Sequence, residues 1–320
     1  WVPIGGTPAF GAGTNIANKA QHGAGAFKGS FDGNGHVISG MTINVKEVTP
    51  FMQEKSNDRF YGLFGITGGA TIKNLGLVNY NIDVSYTGVT EDITIWAGAF
   101  SGWFNCPDHN KSYDAPGDME NCYADDGKIS FNVNPAKNSE ASISIEVGGL
   151  VGTASLGKIH RCYHGSDITV KCNSPFYLAG AGIAATITHL WITECYNTGS
   201  ISFPVGDAQM HLKASYVGGI VAEVTPNGNI NTMGKPKEKA SYIANCYNAG
   251  HLTANTVAGI YVSNNTLAAG YVENCYNVGK LTSQTKPDDG HPELRKGDIM
   301  ASFATCCNRT YMKNCYNNGN

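Results

Sequence analysis

Charge is scarce in this chain of 320 residues. Asp, Glu, Lys and Arg make up 15% of it, against about 25% in an average soluble protein. A net charge of −3 argues against a nucleic-acid surface, which is normally clearly basic. No apolar run approaches the roughly 18 residues of a membrane span, so we expect no direct membrane insertion. The chain begins at Trp1 without a signal peptide, as expected of a mature form or a fragment.

Motifs of known catalytic sites are also missing. A zinc metallopeptidase needs His-Glu-x-x-His on one helix, and none of the nine histidines stands in that pattern. No nucleophile triad can be read, and the acidic pairs Asp125-Asp126 and Asp288-Asp289 are expected to diverge along a strand. Cys106-Pro107-Asp108-His109 carries metal-type ligands, but no second pair follows at a zinc spacing. We expect no catalytic residue, no metal site and no cofactor, and the sequence leaves enzymatic activity open.

The chain contains instead a repeat built around a Cys-Tyr pair. Asn245-Cys246-Tyr247-Asn248-Ala249-Gly250 recurs almost unchanged as Asn274-Cys275-Tyr276-Asn277-Val278-Gly279. Successive pairs lie 29 to 51 residues apart, so the motif is constant while its spacing varies. This is typical of a solenoid whose coils carry loops of different length at their corners. The pairs are Cys122-Tyr123, Cys162-Tyr163, Cys195-Tyr196, Cys246-Tyr247, Cys275-Tyr276 and Cys315-Tyr316.

A second, glycine-rich motif runs in phase with most of these pairs. Val147-Gly148-Gly149-Leu150-Val151 and Val217-Gly218-Gly219-Ile220-Val221 are too short for core helices and are predicted as strands. Each coil would then hold this strand, a strand ending in Asn-Cys-Tyr, a glycine turn and a short Leu-Thr strand. Because Ile243 and Cys246 are three residues apart, alternation fails there and a bend is predicted at Asn245. Coils stacked about 4.8 Å apart would align equivalent residues in ladders of Cys, Asn and Tyr.

The recurrent cysteines are best explained as a buried column of thiols, because six of them share one repeat position, which is unusual for disulfides or zinc. The disulfide state of the other four stays open. The recurrent tyrosines have two interpretations, a structural ladder or an aromatic face that binds sugars or a flat partner surface. The four cysteines outside the column are Cys106, Cys172, Cys306 and Cys307.

Several segments together resemble GLUG-motif repeat proteins. They are the Phe-x-Gly-x-Phe-Asp-Gly-Asn-Gly-His-x-Ile segment at 27–38, Gly-Leu-Phe-Gly at 62–65, Thr-Ile-Lys-Asn-Leu-Gly-Leu at 71–77, Gly-Gly-Leu-Val-Gly at 148–152 and the Asn-Cys-Tyr-Asn copies. The resemblance covers residues 27–320. Such repeats occur in secreted and surface-anchored bacterial proteins, including adhesins and proteins described as immunoglobulin A1 metallopeptidases. It implies a right-handed parallel β-helix and no single activity.

The predicted fold is therefore all-β: a right-handed parallel β-helix, similar to pectin lyases, of about seven to eight coils. Residues 1–26 are predicted as an N-terminal cap and residues 27–320 as one repeat domain. Long insertions at 103–120, 225–240 and 283–298 are candidate functional loops.

The predicted function is that of a non-catalytic extracellular scaffold of a bacterial surface or secreted protein. We expect it to serve adhesion by binding a glycan or a host surface protein. One alternative is an accessory region of an immunoglobulin A1 peptidase-like protein whose catalytic domain lies elsewhere in the polypeptide. The other is a carbohydrate-active β-helix enzyme, which would need carboxylates that converge on one face in a cleft.

Overall fold

A computed structural model describes residues 1–5, 25–46, 58–106, 116–173, 176–204, 215–225, 241–262, 270–284, 300–301 and 310–319. The regular structure in these residues is β-strand, and none of them lies in a helix. No helix long and apolar enough to cross a membrane occurs among them.

The first nineteen strands run from the first coil to the start of the fifth. They are β1 (Ser30–Asp32), β2 (Val37–Ser39), β3 (Thr42–Val45), β4 (Asp58–Tyr61), β5 (Phe64–Ile66), β6 (Thr71–Lys73), β7 (Gly76–Val78), β8 (Asn81–Val89), β9 (Ile93–Ala97), β10 (Ser101–Phe104), β11 (Gly117–Glu120), β12 (Tyr123–Asp125), β13 (Lys128–Pro135), β14 (Ile143–Gly148), β15 (Val151–His160), β16 (Tyr163–His164), β17 (Asp167–Lys171), β18 (Tyr177–Ala181) and β19 (Ala184–Thr193).

The remaining coils contain shorter strands. They are β20 (Tyr196–Asn197), β21 (Ile201–Ser202), β22 (Ser215–Gly218), β23 (Val221–Val224), β24 (Ser241–Ala244), β25 (Tyr247–Asn248), β26 (Leu252–Ala254), β27 (Thr256–Ala258), β28 (Gly270–Glu273), β29 (Tyr276–Asn277), β30 (Leu281–Ser283), β31 (Met300–Ala301), β32 (Thr310–Lys313) and β33 (Tyr316–Asn317).

The strands form four parallel sheets in which neighbours come from successive coils. Sheet A runs β1-β6-β11-β15-β19-β24-β28-β32, with β5, β10 and β23 adjoining it. Sheet B runs β2-β7-β12-β16-β20-β25-β29-β33, sheet C runs β3-β8-β13-β17-β21-β26-β30, and sheet D runs β4-β9-β14-β18-β22-β27-β31. A chain that visits four parallel sheets in turn and returns once per coil is a parallel β-helix. The eight strands of sheet B mark eight coils, which confirms the predicted fold class.

The Asn-Cys-Tyr motif is a corner between two strands, whereas the sequence predicted it as the end of one strand. β24 ends at Ala244 and β25 begins at Tyr247. Asn245 between them has a φ of 55°, which confirms the predicted bend. Asparagine suits this corner because its short polar side chain tolerates left-handed backbone better than most residues do. The same conformation recurs at Asn74, Asn121, Arg161, Glu194, Asn274 and Asn314.

The Gly-Gly motif is also a corner, not the single strand that the sequence predicted. β14 ends at Gly148 and β15 begins at Val151. A Cβ at Gly148 would lie 1.8 Å from the Val151 carbonyl oxygen, and one at Gly149 would lie 2.2 Å from the His164 ring. The two motifs run in phase because the glycine of one leaves room for the polar side chain of the other. The equivalent pairs in the next two coils are Gly182 with Asn197 and Gly219 with Asn248.

The interior is one apolar column that runs through all the described coils. Its members stack in register, as Ile72, Met119 and Ile159 do in sheet A, and each is fully buried. Burying a side chain of this size contributes about 1.5–3 kcal/mol. Of the large apolar side chains in the segment 27–43, Met41 and Ile43 are buried. Phe27, Phe31 and Ile38 are partly buried against the core.

Residues 6–24 of the predicted cap lie outside the described residues, as do 107–115, 226–240 and 285–298 of the predicted insertions. Of the predicted cap, Ile4 bridges Phe64, and the amino group of Trp1 donates a hydrogen bond to the Thr42 carbonyl oxygen at 2.7 Å. The start of the chain thus packs on the first coils.

Candidate functional site

Five members of the Cys column (Cys122, Cys162, Cys195, Cys246, Cys275 and Cys315) are fully buried, and Cys315 is half-buried. In each of the six corners, the thiol donates a weak hydrogen bond at 3.2–3.3 Å to the carbonyl oxygen two residues earlier. Burial raises the pKa of the Cys195 thiol well above its ordinary value. A protonated, buried thiol is a poor nucleophile and a poor metal ligand. Cys106 and Cys172 are also buried, and Cys306 and Cys307 lie outside the described residues.

The Tyr column (Tyr123, Tyr163, Tyr196, Tyr247, Tyr276 and Tyr316) forms one stack of parallel rings along sheet B. Neighbouring ring centroids lie 4.8–5.2 Å apart and the rings are tilted by only 3–6°. Each inner ring therefore has both faces covered by its neighbours and presents its edge and hydroxyl outward. Burial raises the pKa of Tyr163 to about 12. Stacking on a sugar needs a free ring face, and within this stack only the two end rings lack a second tyrosine neighbour.

An inner polar column of buried side chains follows the Tyr column along sheet B. It consists of His164, Asn197, Asn248 and Asn277. Asn197 donates to Asn248 at 2.8 Å, and Asn248 donates to Asn277 at 2.7 Å. His164 occupies the same position one coil earlier, and its Nδ1 lies 2.9 Å from the Asn197 amide oxygen. Its Nε2 is buried without a hydrogen-bond partner, and burial lowers the pKa of His164 to about 4. The ring is therefore neutral near pH 7 and supports the fold rather than catalysis.

A second set of aromatic side chains, the aromatic stripe (Trp191, Tyr242, Tyr271 and Tyr311), lies on the outer face of sheet A. The four residues are paired in register in successive coils. Trp191 and Tyr242 meet edge to face at 64°, and Tyr271 and Tyr311 are tilted by 52°. Tyr311 is 52% exposed, and the Lys158 ammonium lies 5.7 Å from the Trp191 ring. Unlike the rings of the Tyr column, the stripe rings do not lie flat on each other.

A third feature lies at the corner between sheet D and sheet A. We call it the corner cluster, and it consists of Trp96, Glu146, Thr153, Tyr177, Thr186 and Glu223. At this corner the outer faces of the two sheets pack together over Ala179, Ala181, Ala185 and Ala222, which form a small cluster separate from the main core. Small residues allow this close approach of two backbones. Thr153 donates to a Glu146 carboxylate oxygen at 2.8 Å, and the Tyr177 hydroxyl donates to Glu223.

Strand register fixes the order of the corner cluster along the helix axis. In sheet D, Glu146 lies between Trp96 and Ala179 of adjacent coils. On the sheet A side, Thr186 pairs with Thr153 in one direction and with Glu223 in the other. The two carboxyl groups thus approach the Thr186 coil from opposite sides, each displaced by about one coil spacing of 4.8 Å.

The corner carboxyl groups are half-buried, and no Lys or Arg among the described residues forms an ion pair with either of them. Burial raises the pKa of Glu146, and hydrogen bonds from Thr186, Thr153 and Trp96 only partly oppose this shift. Burial also raises the pKa of Glu223, against the hydrogen bond from Tyr177. Both carboxyl groups therefore resist ionisation, and only neutral hydrogen-bond donors oppose this effect.

Sequence reasoning missed both the aromatic stripe and the corner cluster. The corner cluster follows no motif, because its residue type changes from coil to coil, and the stripe position carries tyrosine only in its last three coils. The one signal available was position relative to the motifs: Tyr242, Tyr271 and Tyr311 each stand four residues before the Cys of an Asn-Cys-Tyr copy. Nothing comparable relates Glu146 to Glu223, which stand 77 residues apart in sequence.

The remaining predicted site residues have plain structural roles. Asp32 accepts a hydrogen bond from the Asn34 amide at 2.9 Å, as is common for an aspartate in a turn, and lies 3.2 Å from the Lys73 ammonium. No group of three or more His, Cys, Asp or Glu that could hold a metal ion is found among the described residues. The segment 107–109, with two of the metal-type ligands named above, lies outside them.

Comparison with known proteins gives one match. No family model matches the chain, so the resemblance to GLUG-motif repeat proteins remains a prediction. No curated protein matches it either. Among solved structures, the chain is similar to the crystal structure of a putative immunoglobulin A1 protease from Bacteroides ovatus, with 19% identity and a TM-score of 0.48 over 90% of this chain and 68% of the other. The assignment as a parallel β-helix rests on the strand pairing of this chain itself.

Proposed function

We propose that this chain is a non-catalytic binding scaffold that holds an extended glycan along the aromatic stripe. The observation that carries the proposal is the orientation of the stripe rings. Trp191 and Tyr242 are edge to face and Tyr271 and Tyr311 are tilted, whereas the rings of the Tyr column lie flat on each other. Sugar rings bind aromatic side chains through a ring face. The exposed Tyr311 of the stripe can offer one, whereas each inner ring of the Tyr column is covered on both faces by its neighbours.

The dimensions of the aromatic stripe suit a linear ligand. Four rungs at about 4.8 Å place its ends about 14 Å apart along the helix axis. Polar groups flank the rings: Lys158 lies against Trp191, and the Tyr242 hydroxyl donates to Glu273 at 3.0 Å. Such groups can hydrogen-bond sugar hydroxyls beside the rings and fix the register of the chain.

The wider setting of this scaffold is part of the same proposal. The quoted sequence motifs support a secreted or cell-surface bacterial protein, with adhesion to a glycan or a host surface protein as its role. They equally support an accessory region within a longer peptidase-like polypeptide, in which the scaffold would present a catalytic domain to its target. Rigid repeat scaffolds serve both roles with the same binding surface.

A glycan array with three forms of the chain tests the proposal. The stripe variant is Trp191→Ala with Tyr311→Ala, and the matched variant changes Tyr196 and Tyr247 of the Tyr column to Ala. We expect specific binding by the unchanged chain, loss of at least tenfold in the stripe variant and retention in the column variant, with folding checked by circular dichroism. Loss in the column variant alone would make the Tyr column the binding face, and no binding by the unchanged chain would contradict the proposal.

A further inference from the structure

The last described coil has an uncovered side, which we call the end face. It is the side of β32 and β33 that points away from the preceding coil. Met312 is 40% exposed, although its register partner Val272 is only 1% exposed. Tyr316 is 58% exposed and Cys315 is half-buried, whereas Cys275 of the preceding coil is fully buried. The apolar column and the Tyr column are therefore both open to solvent at this end.

The hydrogen bonds between coils give the end face a defined polarity. Asn277, in the inner polar column, donates forward to the Asn317 amide oxygen at 2.6 Å. Asn317 donates in turn to the Gly319 carbonyl oxygen at 3.2 Å, and its second amide hydrogen has no partner among the described residues. At the outer corner the direction reverses, because Asn314 donates back to Asn274 at 3.0 Å. The end face thus offers a spare amide donor on Asn317 and a spare amide oxygen on Asn314.

The backbone of the end face is open in the same way. In the preceding coil, the Cys275 carbonyl oxygen accepts a hydrogen bond from the Tyr316 amide at 3.1 Å. The corresponding oxygen of the last described coil, on Cys315, accepts none from a described residue. An edge with such groups is a template for one more parallel strand.

The Tyr316 ring also has one free face. Tyr276 covers its other face at a centroid distance of 5.2 Å and a tilt of 6°. Tyr123, at the opposite end of the Tyr column, lies over Gly76 of the preceding coil, where an added Cβ would lie 2.4 Å from the tyrosine ring. The end face is therefore where the Tyr column can accept another ring.

We propose that the end face binds a parallel β-strand from another polypeptide that carries the Asn-Cys-Tyr-Asn repeat. The second asparagine of such a strand would accept from Asn317, its first asparagine would donate to Asn314, and its tyrosine would cover the Tyr316 ring. These are the contacts that already join the preceding coils. In strand addition of this kind, main-chain hydrogen bonds give affinity and side-chain positions give specificity. The inference does not depend on glycan binding by the aromatic stripe.

The opposite end of the chain does not match the end face, which argues against head-to-tail stacking of copies. By register, Val37 stands at the tyrosine position of the first coil and Ile38 at the asparagine position. Ile38 offers no side-chain acceptor to Asn317, and the Trp1 amino group already bonds the Thr42 carbonyl oxygen at this end. Tail-to-tail stacking would need antiparallel strands, whereas β32 and β33 pair in parallel with their neighbours.

Fluorescence anisotropy with synthetic peptides tests the proposal on the full chain under reducing conditions. The probe is a labelled peptide of residues 270–283, and the control peptide carries Ala in place of Tyr276 and Asn277. We expect saturable binding of the probe and binding of the control that is weaker by about tenfold or more. Equal binding of the two peptides, or binding of neither, would overturn the proposal.

Variants of the chain locate the binding. Tyr316→Ala removes the free ring face, and Asn317→Asp replaces the spare donor while keeping an oxygen that accepts from Asn277. Each should weaken binding of the probe by about tenfold or more. Tyr123→Ala, at the opposite end of the Tyr column, is the matched control and should leave binding unchanged, with folding checked by circular dichroism. Equal losses in Tyr316→Ala and Tyr123→Ala would overturn the site.

Sedimentation of the unchanged chain separates a foreign strand from a second copy. We expect the chain to bind the probe as a monomer. A dimer that Asn317→Asp disperses, without binding of the probe, would assign the end face to a second copy and would overturn the proposal.

Discussion

One register position in sheet B carries tyrosine in six successive coils, whereas one position in sheet D carries Trp96, Glu146, Ala179 and Tyr216 in turn. In the Tyr column each side chain has copies of itself as partners, so its interactions are satisfied within the repeat. In the corner cluster each coil contributes a different group. In these two regions, the position that repeats holds the coils together through contacts between identical side chains, whereas the position that varies brings unlike side chains into contact.

The two regions should also respond to pH in opposite directions. His164, behind the Tyr column, has a lowered pKa, so its protonation is resisted by the folded state. Glu146 and Glu223 have raised pKa values, so their ionisation is resisted instead. Acidification therefore lowers the stability of the folded chain through His164, and it removes the free-energy cost of ionising Glu146 and Glu223.

The largest expected effect comes from breaking the inner polar column. Asn248 is fully buried and its amide bonds Asn277, the Gly250 carbonyl and Asn197. Asn248→Ala leaves these partners unsatisfied and should lower the free energy of unfolding by about 3 kcal/mol. Urea denaturation followed by circular dichroism measures this. Asn44→Ala, at an exposed position of β3, is the control and should change stability by less than about 0.5 kcal/mol. Equal losses of stability in Asn248→Ala and Asn44→Ala would mean that the hydrogen bonds of the inner polar column do not stabilise the folded chain.

Acidification should remove nearly as much stability through His164. Its pKa is about 4 in the folded chain and about 6.5 when unfolded. The unfolded state binds more protons between these values, so stability falls as pH drops from about 6.5 to 4, by about 3 kcal/mol in total. His164→Asn continues the Asn column and should abolish this loss. Exposed His251→Asn should keep it, and an unchanged pH profile in His164→Asn would contradict the assignment.

The stability that depends on the corner cluster should change with pH in the opposite direction. The folded-state pKa values of Glu146 and Glu223 are raised by burial, with Thr153, Thr186, Trp96 and Tyr177 as their hydrogen-bonding neighbours. Their contribution to stability is full below the unfolded pKa of about 4.3 and declines as pH rises through the folded values. A Glu146→Gln, Glu223→Gln double variant should therefore gain melting temperature relative to the unchanged chain at pH 8 and not at pH 4. Parallel melting curves at both pH values would show that these carboxyl groups are solvated.

The smallest expected effect is a gain in stability from placing asparagine at a coil corner that lacks it. The corner asparagines Asn245, Asn274 and Asn314 form an outer ladder of side-chain hydrogen bonds. Glu194 occupies the left-handed corner with a φ of 55°, where Asn274 and Asn314 bond their neighbours at 3.0 Å. Glu194→Asn should raise the free energy of unfolding by about 1 kcal/mol because asparagine tolerates this backbone better. The midpoint of urea unfolding reports the change. A loss of stability in Glu194→Asn would show that glutamate stabilises this corner better than asparagine does.

The sequence by itself determined the parallel β-helix, the phase of its motifs and the ladders of Cys, Asn and Tyr. It could do so because in-register stacking places each repeated residue on its own copy, so that recurrence along the chain becomes contact in space. It also located the bend at Asn245, since alternation fails there.

Only the tertiary structure decided which unlike residues meet. Whether the Gly-Gly motif was a strand or a corner depended on the room behind Gly149 and Gly182, which His164 and Asn197 occupy from the opposite side of the core. The tilt of the stripe rings and the approach of Glu146 and Glu223 depend on side-chain packing and on the angle between two sheets. No spacing in the sequence encodes that angle, because it arises from the backbone of several coils together.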